Sequence, residues 1–208
     1  MTNSEPTPTG RTLVIGLTGP IGCGKSTIAG WLGERGAVVI DADVLAREVS
    51  APGQEGHNAV LDVFGDAVRV RDGTLDRAAL ARIVFRDPEA LRRLEVILHP
   101  LVRARILAAL GAAREAAAPA VVIEAIKLVE GGLATLCDEV WLVTCAAPVQ
   151  RERVIDRGAE PADADRRISG QTGIVERLRP AATRVIDTSG PLADARANVA
   201  AAWAAATR

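Results

Sequence analysis

Cysteine is scarce in this sequence: Cys23, Cys137 and Cys145 are the only three in 208 residues. Their odd number and the absence of metal-ligand spacing exclude a disulfide framework or a structural zinc site, and a chain of this length buries enough core to need neither. They are expected as free thiols in a reducing compartment. An excess of charge of one sign is missing too, since 25 basic residues stand against 26 acidic ones for a net charge of −1. The basic residues are dispersed along the chain, which excludes a broad surface for nucleic acid and points to a small polyanion held locally. Uncharged apolar runs all fall short of the roughly 18 to 20 residues that cross a bilayer, although 49% of residues are hydrophobic and mean hydropathy is +0.17. Alanine and valine carry much of that figure, so a soluble protein with no membrane contact is expected. The N-terminal MTNSEPTPTGR has neither the apolar core of a secretory signal nor the Arg-rich character of a transit peptide. A cytoplasmic location and a flexible lead-in over residues 1–11 follow, and nothing in the pattern calls for an obligate protein partner.

What is present alternates between two periodicities. Apolar runs at Thr12 to Thr18, Ala37 to Asp41, Ala120 to Glu124, Glu139 to Thr144 and Arg184 to Asp187 predict five strands. The near-continuous hydrophobicity of the second, Ala37 to Asp41, suits a parallel strand covered on both faces. Helical stretches separate the runs, so the class is α/β, with Lys25 to Arg35 as the first helix and Pro191 to Arg208, carrying Leu192, Val199 and Trp203, as the closing one. Residues 12–208 read as a single domain, without internal repeat or linker. Its core is expected over 12–45 and 119–208, and a helical insert over 46–118. In that insert Asp87, Pro88 and Glu89 form a helix start. Leu91, Leu94 and Leu98 follow on one face, His99 and Pro100 are expected to break the helix, and Val102, Ile106 and Leu110 mark a second, antiparallel one. The polar, arginine-rich stretch 151–176 reads as a mobile surface element.

The strongest chemical signal is Gly19-Pro20-Ile21-Gly22-Cys23-Gly24-Lys25-Ser26, a full G-x-x-x-x-G-K-[ST] phosphate loop between a predicted strand and a predicted helix. In such a loop backbone N–H groups converge on a β-phosphate, the lysine reaches the β- and γ-phosphates and the hydroxyl residue can ligate Mg²⁺. Gly19, Pro20, Ile21, Gly22, Cys23, Gly24, Lys25, Ser26 and Thr27 are therefore candidates for binding ATP, and Ser26 for the metal. Asp41-Ala42-Asp43 closes the second strand at the edge where open α/β sheets bind ligands. Asp43 is open to two readings: a helix cap, or a base that accepts a hydroxyl proton.

Taken in order, GLTGPIGCGKST, VIDADVLAREV, DGTLDRAAL with VFRDP, LHPLV, an arginine-rich stretch and a late VIDTSG resemble the dephospho-CoA kinases from about residue 12 to residue 190. The resemblance implies a three-layer P-loop kinase fold, a five-stranded parallel sheet with a helical CoA-binding insert, and a lid over 151–176. It implies ATP and dephospho-CoA as ligands, with transfer of phosphate to the ribose 3′-hydroxyl in the last step of CoA biosynthesis. Asp43 then takes the general-base position. Thr18 and Lys25 lie at the phosphates, and Arg153 and Arg157 belong to the segment that contacts them, against the alternative of a solvated helix face. His99 shapes the substrate pocket or is only a cap, and Phe64, Thr74 and Leu75 line the same pocket.

The chain departs from the family pattern after the third strand and at Pro20. After the third strand the chain reads Glu124-Ala125-Ile126-Lys127-Leu128-Val129-Glu130, where an acid followed by Pro-Leu-Leu-Phe-Glu is usual. Glu124 can still serve Mg²⁺ through a water. Lys127 is open to meeting substrate phosphate, pairing with Glu124 or standing in solvent. Pro20 replaces a frequent glycine and should be tolerated, since it needs only φ near −65°. Cys23 needs only to be small, with redox sensitivity as the alternative. Two competing functions fit less of the sequence: a kinase for another small acceptor, which leaves DGTLDR and LHP without a reason, and a non-catalytic ATP-binding module.

Overall fold

A computed structural model describes residues 11–208; the flexible lead-in expected over 1–11 lies, apart from Arg11, outside the described residues. The apolar runs form β1 (Leu13–Thr18), β2 (Val38–Asp41), β3 (Ala120–Glu124), β4 (Glu139–Thr144) and β5 (Arg184–Asp187). They make one five-stranded sheet in the order β2-β3-β1-β4-β5, with β1 parallel to β3 and β4, and β4 parallel to β5. The chain divides into two compact units, one running up to Ile40 and resuming over Leu110–Arg208, the other Asp41–Ala109.

Burial follows strand position. β3 is buried along its whole length, as both-face cover demands. β2 differs from expectation: Val38 and Val39 point to opposite faces and both are exposed, so at this edge strand neither face is fully covered. Alternation along β4 splits its side chains between two cores. Trp141 and Val143 join Ile15, Leu17 and Val122 under α1 (Lys25–Gly33) and α9 (Leu192–Ala206), which supply Ile28, Trp31, Leu32, Ala195 and Val199. Leu142 faces the other way and packs on Ile174 and Leu178 of α8 (Ile174–Leu178). In α9, Val199 is buried and Trp203 packs against the core, whereas Leu192 at the first turn is exposed.

Stretch 151–176 is carried on α6 (Ala147–Asp156), α7 (Pro161–Ser169) and the start of α8. It is less superficial than its charge suggests, because Val154, Ala164 and Ile174 are buried. Arg151 and Asp165 tie α6 to α7 at 2.7 Å.

In the second unit α2 (Ala42–Val49), α3 (Glu55–Phe64) and α4 (Arg77–Arg86) precede α5 (Pro88–Glu115). Val60, Leu61, Val68 and Leu80 form its core, with Phe64, Leu75, Ile83, Leu94, Ile97 and Leu98 packed against them. The Asp87 side chain caps α5 by accepting from the Glu89 N–H at 2.8 Å. The expected break at His99 and Pro100 does not occur, and α5 runs as one helix through Pro100. A proline removes one i→i−4 hydrogen bond, which here orphans the Val96 carbonyl. Val96 is 74% exposed, so solvent can serve that carbonyl and the helix continues. Among the described residues α5 is long and apolar enough to cross a membrane. Part of its apolar surface packs on protein: Val102, Ile106 and Leu110 are buried and Leu94, Ile97 and Leu98 pack against the core just described, while Val96 and Leu107 are exposed.

One ion pair stitches the sheet edge. Arg184 on β5 donates Nε and Nη2 to Glu139 on β4 at 2.6 and 2.8 Å, and the Trp141 indole N–H donates to the same carboxylate at 2.6 Å. The Arg184 hydrogen bond, helped by Trp141 and opposed by burial, holds the Glu139 carboxyl below its ordinary value. A lowered carboxyl contributes stability above its unfolded value, about pH 4.3, and loses it as pH falls through the folded one. Glu139→Gln should therefore destabilise the protein by about 1 kcal/mol at pH 7. The difference from wild type in urea unfolding should shrink below about pH 4, whereas a loss independent of pH would contradict this assignment.

Candidate active site

Between β1 and α1 the chain must turn sharply against the end of β4. Gly19 (φ 139°) and Gly22 (φ 79°) make this possible. A Cβ on Gly19 would strike the Val143 carbonyl, and one on Gly22 would lie 2.9 Å from the Gln150 carbonyl, so neither position has room for a side chain even apart from its backbone angle. Gly24 takes the left-handed N-cap conformation and no side chain caps α1. Its first-turn N–H groups and the positive end of its dipole thus suit an anion.

Lys25 is buried at the start of α1, and its Nζ donates to the carbonyls of Gly19 and Pro20 at 2.9 and 3.0 Å. The cation is thereby held across its own loop. Ser26 Oγ donates to Glu124 Oε1 at 2.8 Å, and Glu124, at the end of β3, is itself buried. Thr18 is fully buried and donates its hydroxyl to the Ile126 carbonyl at 3.1 Å, which fastens the end of β1 to the chain after β3. Arg153 donates Nη1 to Thr188 Oγ1 at 2.9 Å and Nη2 to the Thr188 carbonyl at 2.7 Å, while Thr188 Oγ1 donates to the Cys23 carbonyl at 2.9 Å. Arg157 lines a cavity of about 270 Å³ with Ile21, Val154, Gly158, Ala159 and Arg167. Lys127 is exposed in the turn after β3, and its carbonyl accepts from the Gly131 N–H at 2.8 Å.

Three supports of the loop have no counterpart in the sequence reading. Gln150 Nε2 donates to the Ile21 carbonyl at 2.8 Å and the Ile21 N–H donates to Gln171 Oε1 at 2.8 Å, so both backbone groups of one loop residue are held by side-chain amides. Thr188 is the third. It follows β5 directly and lies within VIDTSG, a signal that could have singled it out, whereas nothing local marks either glutamine.

The expectation of three free thiols fails. Cys23 in the loop and Cys145, immediately after β4, are disulfide-bonded with their Cα atoms 5.3 Å apart. The loop folds over the end of β4 and brings together residues 122 apart in sequence, at a separation within the range a disulfide spans. Cys137 stays free, and burial, with a smaller contribution from Asp138, pushes its thiol up to about 12.

The remaining candidates lie in the other compact unit. Asp41 caps α2, its Oδ1 accepting from the N–H groups of Asp43 and Val44 at 2.8 and 3.0 Å, so the capping role left open for Asp43 belongs to Asp41. Asp43 stands exposed in the first turn of α2, and its carbonyl accepts from Arg47 Nε at 3.2 Å. Phe64 packs on the second unit's core with the Arg93 guanidinium 5.5 Å from its ring centroid. Thr74 is engaged locally, donating N–H and hydroxyl to Asp72 Oδ1 at 2.9 and 2.6 Å, and Leu75 packs inward. These Thr74 bonds hold the Asp72 carboxyl below its ordinary value. His99, half-buried, sits inside α5 and is not a cap.

Comparison with known proteins assigns the arrangement to one family. The family model described as dephospho-CoA kinase matches residues 13–194. The dephospho-CoA kinase of Moorella thermoacetica is 46% identical over 192 residues, covering 91% of this chain and 90% of its own length. That of Symbiobacterium thermophilum is 45% identical over 194 residues, covering 93% and 81%. A crystal structure from Thermus thermophilus superposes with a TM-score of 0.80 at 34% identity, covering 94% of this chain and 98% of the other.

The cysteine pairing makes a countable prediction. Denatured without reductant, the protein should present one thiol to a chromogenic disulfide reagent, and three after reduction. Three thiols without reductant would overturn the pairing.

Proposed function

The chain belongs to the dephospho-CoA kinase family, and on that premise we propose that it transfers the γ-phosphoryl group of ATP to the ribose 3′-hydroxyl of dephospho-CoA, giving CoA and ADP in the last step of CoA biosynthesis. The observation that carries this reading is the phosphate loop with Lys25 held across it and the Ser26–Glu124 oxygen pair beside it. Transfer of this kind asks little covalent chemistry of the protein, and catalysis is mostly positioning and offsetting of charge.

In this reading the α1 N-terminus and loop N–H groups take the β-phosphate, and Lys25 moves from its own carbonyls to the phosphate oxygens. Arg153 and Arg157 offset charge through planar forks that match phosphate geometry. Mg²⁺ is tested by the donor set. Ser26 and Glu124 offer hard oxygen donors 2.8 Å apart, and among the described residues no cluster of three or more His, Cys, Asp or Glu is placed to hold a metal. That suits a cation that takes one or two protein oxygens and keeps waters and substrate phosphates for the rest. When bound, Mg²⁺ would neutralise charge on the β- and γ-oxygens. Asp43 accepts the 3′-hydroxyl proton, while His99 and Phe64 shape the acceptor pocket and the 151–176 lid keeps water out. The protein works as a soluble cytoplasmic enzyme on two small molecules.

Asp43→Asn tests the assignment of roles. Turnover of dephospho-CoA should fall by about 10²- to 10⁴-fold, with ATP affinity by calorimetry unchanged. Loss of ATP affinity alongside turnover would make Asp43 a structural residue instead.

A further inference from the structure

α2 is short. A helix of eight residues leaves as many carbonyls without an internal partner at its C-terminal end as it satisfies elsewhere, and in isolation it would not form. Its end nevertheless has partners for the carbonyls of Ala46, Arg47, Glu48 and Ser50. The Ser50 hydroxyl donates to the Ala46 carbonyl at 2.7 Å, and the Ser50 and Ala51 N–H groups donate to the Glu48 carbonyl. Arg77 adds to this from another helix: Nη2 donates to the carbonyls of Arg47, which also accepts from Ser50 Oγ at 3.3 Å, and of Ser50, at 2.9 and 3.2 Å, and Nη1 donates to Ser50 Oγ at 3.2 Å.

Arg77 is poorly placed for its own helix. It is the first residue of α4, where Asp76 caps by accepting from the Ala79 N–H at 2.8 Å, and a cation there opposes the positive end of the α4 dipole. At the C-terminal end of α2 the same charge is favourable, and the planar fork reaches two carbonyls and a hydroxyl at once. The turn Asp72-Gly73-Thr74 and the Asp76 cap fix the backbone from which it reaches. The object held is the helix whose first turn bears Asp43.

We infer that Arg77 is a positioning residue for the reaction: it clamps the C-terminal end of α2 and so holds the Asp43 carboxylate at the angle proton transfer needs. This rests on the reading of Asp43 as the base. Displacement of a reacting group by about 1 Å costs on the order of 100-fold in rate. Arg77→Met should accordingly lower kcat by about 10- to 100-fold and leave the KM for ATP unmoved. Arg77→Lys, which keeps the charge and reaches fewer acceptors, should recover part of the loss and carries the test if Arg77→Met does not fold. The deciding measurement is the cycle with Asp43→Asn. If Arg77 acts through Asp43, the Asp43→Asn, Arg77→Met protein turns over no more slowly than Asp43→Asn alone. Multiplying losses, an unchanged kcat in Arg77→Met, or a rise confined to the KM for dephospho-CoA would each overturn the inference while leaving Asp43 as the base. Wild-type turnover in Asp43→Asn alone would instead overturn the base and the inference with it.

Discussion

A buried cation on a glycine-rich loop is the constraint around which this nucleotide-binding unit is organised. Lys25 has little access to solvent, and its ammonium group is stabilised by carbonyls of its own loop. Those carbonyls can point inward only if the loop keeps its shape, and that shape is held from outside by groups far away in sequence. Gln150 and Gln171 take the two backbone groups of Ile21, and Thr188 takes the Cys23 carbonyl and is itself gripped by Arg153. With Cys145 bonded to Cys23, the end of β4, the helix α6 and the end of β5 all become part of the loop. Backbone groups of a buried turn must be paired, and here side chains do what a ladder does in a strand.

The second unit answers a different problem with the same means. The stretch Asp72 to Arg77, from which the family resemblance places Thr74 and Leu75 at the substrate pocket, is rich in polar residues. Asp72 closes a turn on Thr74, Asp76 caps α4 and Arg77 ends α2. Asp72, Asp76 and Arg77 each pair a backbone group and the Thr74 hydroxyl donates to the Asp72 carboxylate, so these residue types have local reasons as well as any ligand.

Most of the sheet could be read from the chain because buried parallel strands are continuous apolar runs, and β3 and β4 appear within the bounds their residues suggest. What could not be read is what depends on neighbours. The exposure of Val38 and Val39 follows from β2 being an edge, which local hydrophobicity does not encode. Pro100 was a sound reason to end a helix, yet it falls where the orphaned carbonyl meets solvent. Cys23 and Cys145 meet only because the loop crosses β4. In the site, Lys25 and Ser26 stand out because a phosphate loop demands those types at that spacing, and Glu124 stands out through the family resemblance; the structure places Ser26 and Glu124 side by side. Gln150 and Gln171 do not stand out, since an amide that holds a backbone group has no spacing rule.

The most direct measurement is release of ADP from Mg·ATP in a coupled assay, with dephospho-CoA, AMP, CMP, shikimate or no acceptor, and the product weighed by mass spectrometry. The account predicts stimulation by dephospho-CoA alone, with one phosphate added to give CoA. Equal stimulation by another acceptor, or none by any despite tight ATP binding, would contradict it.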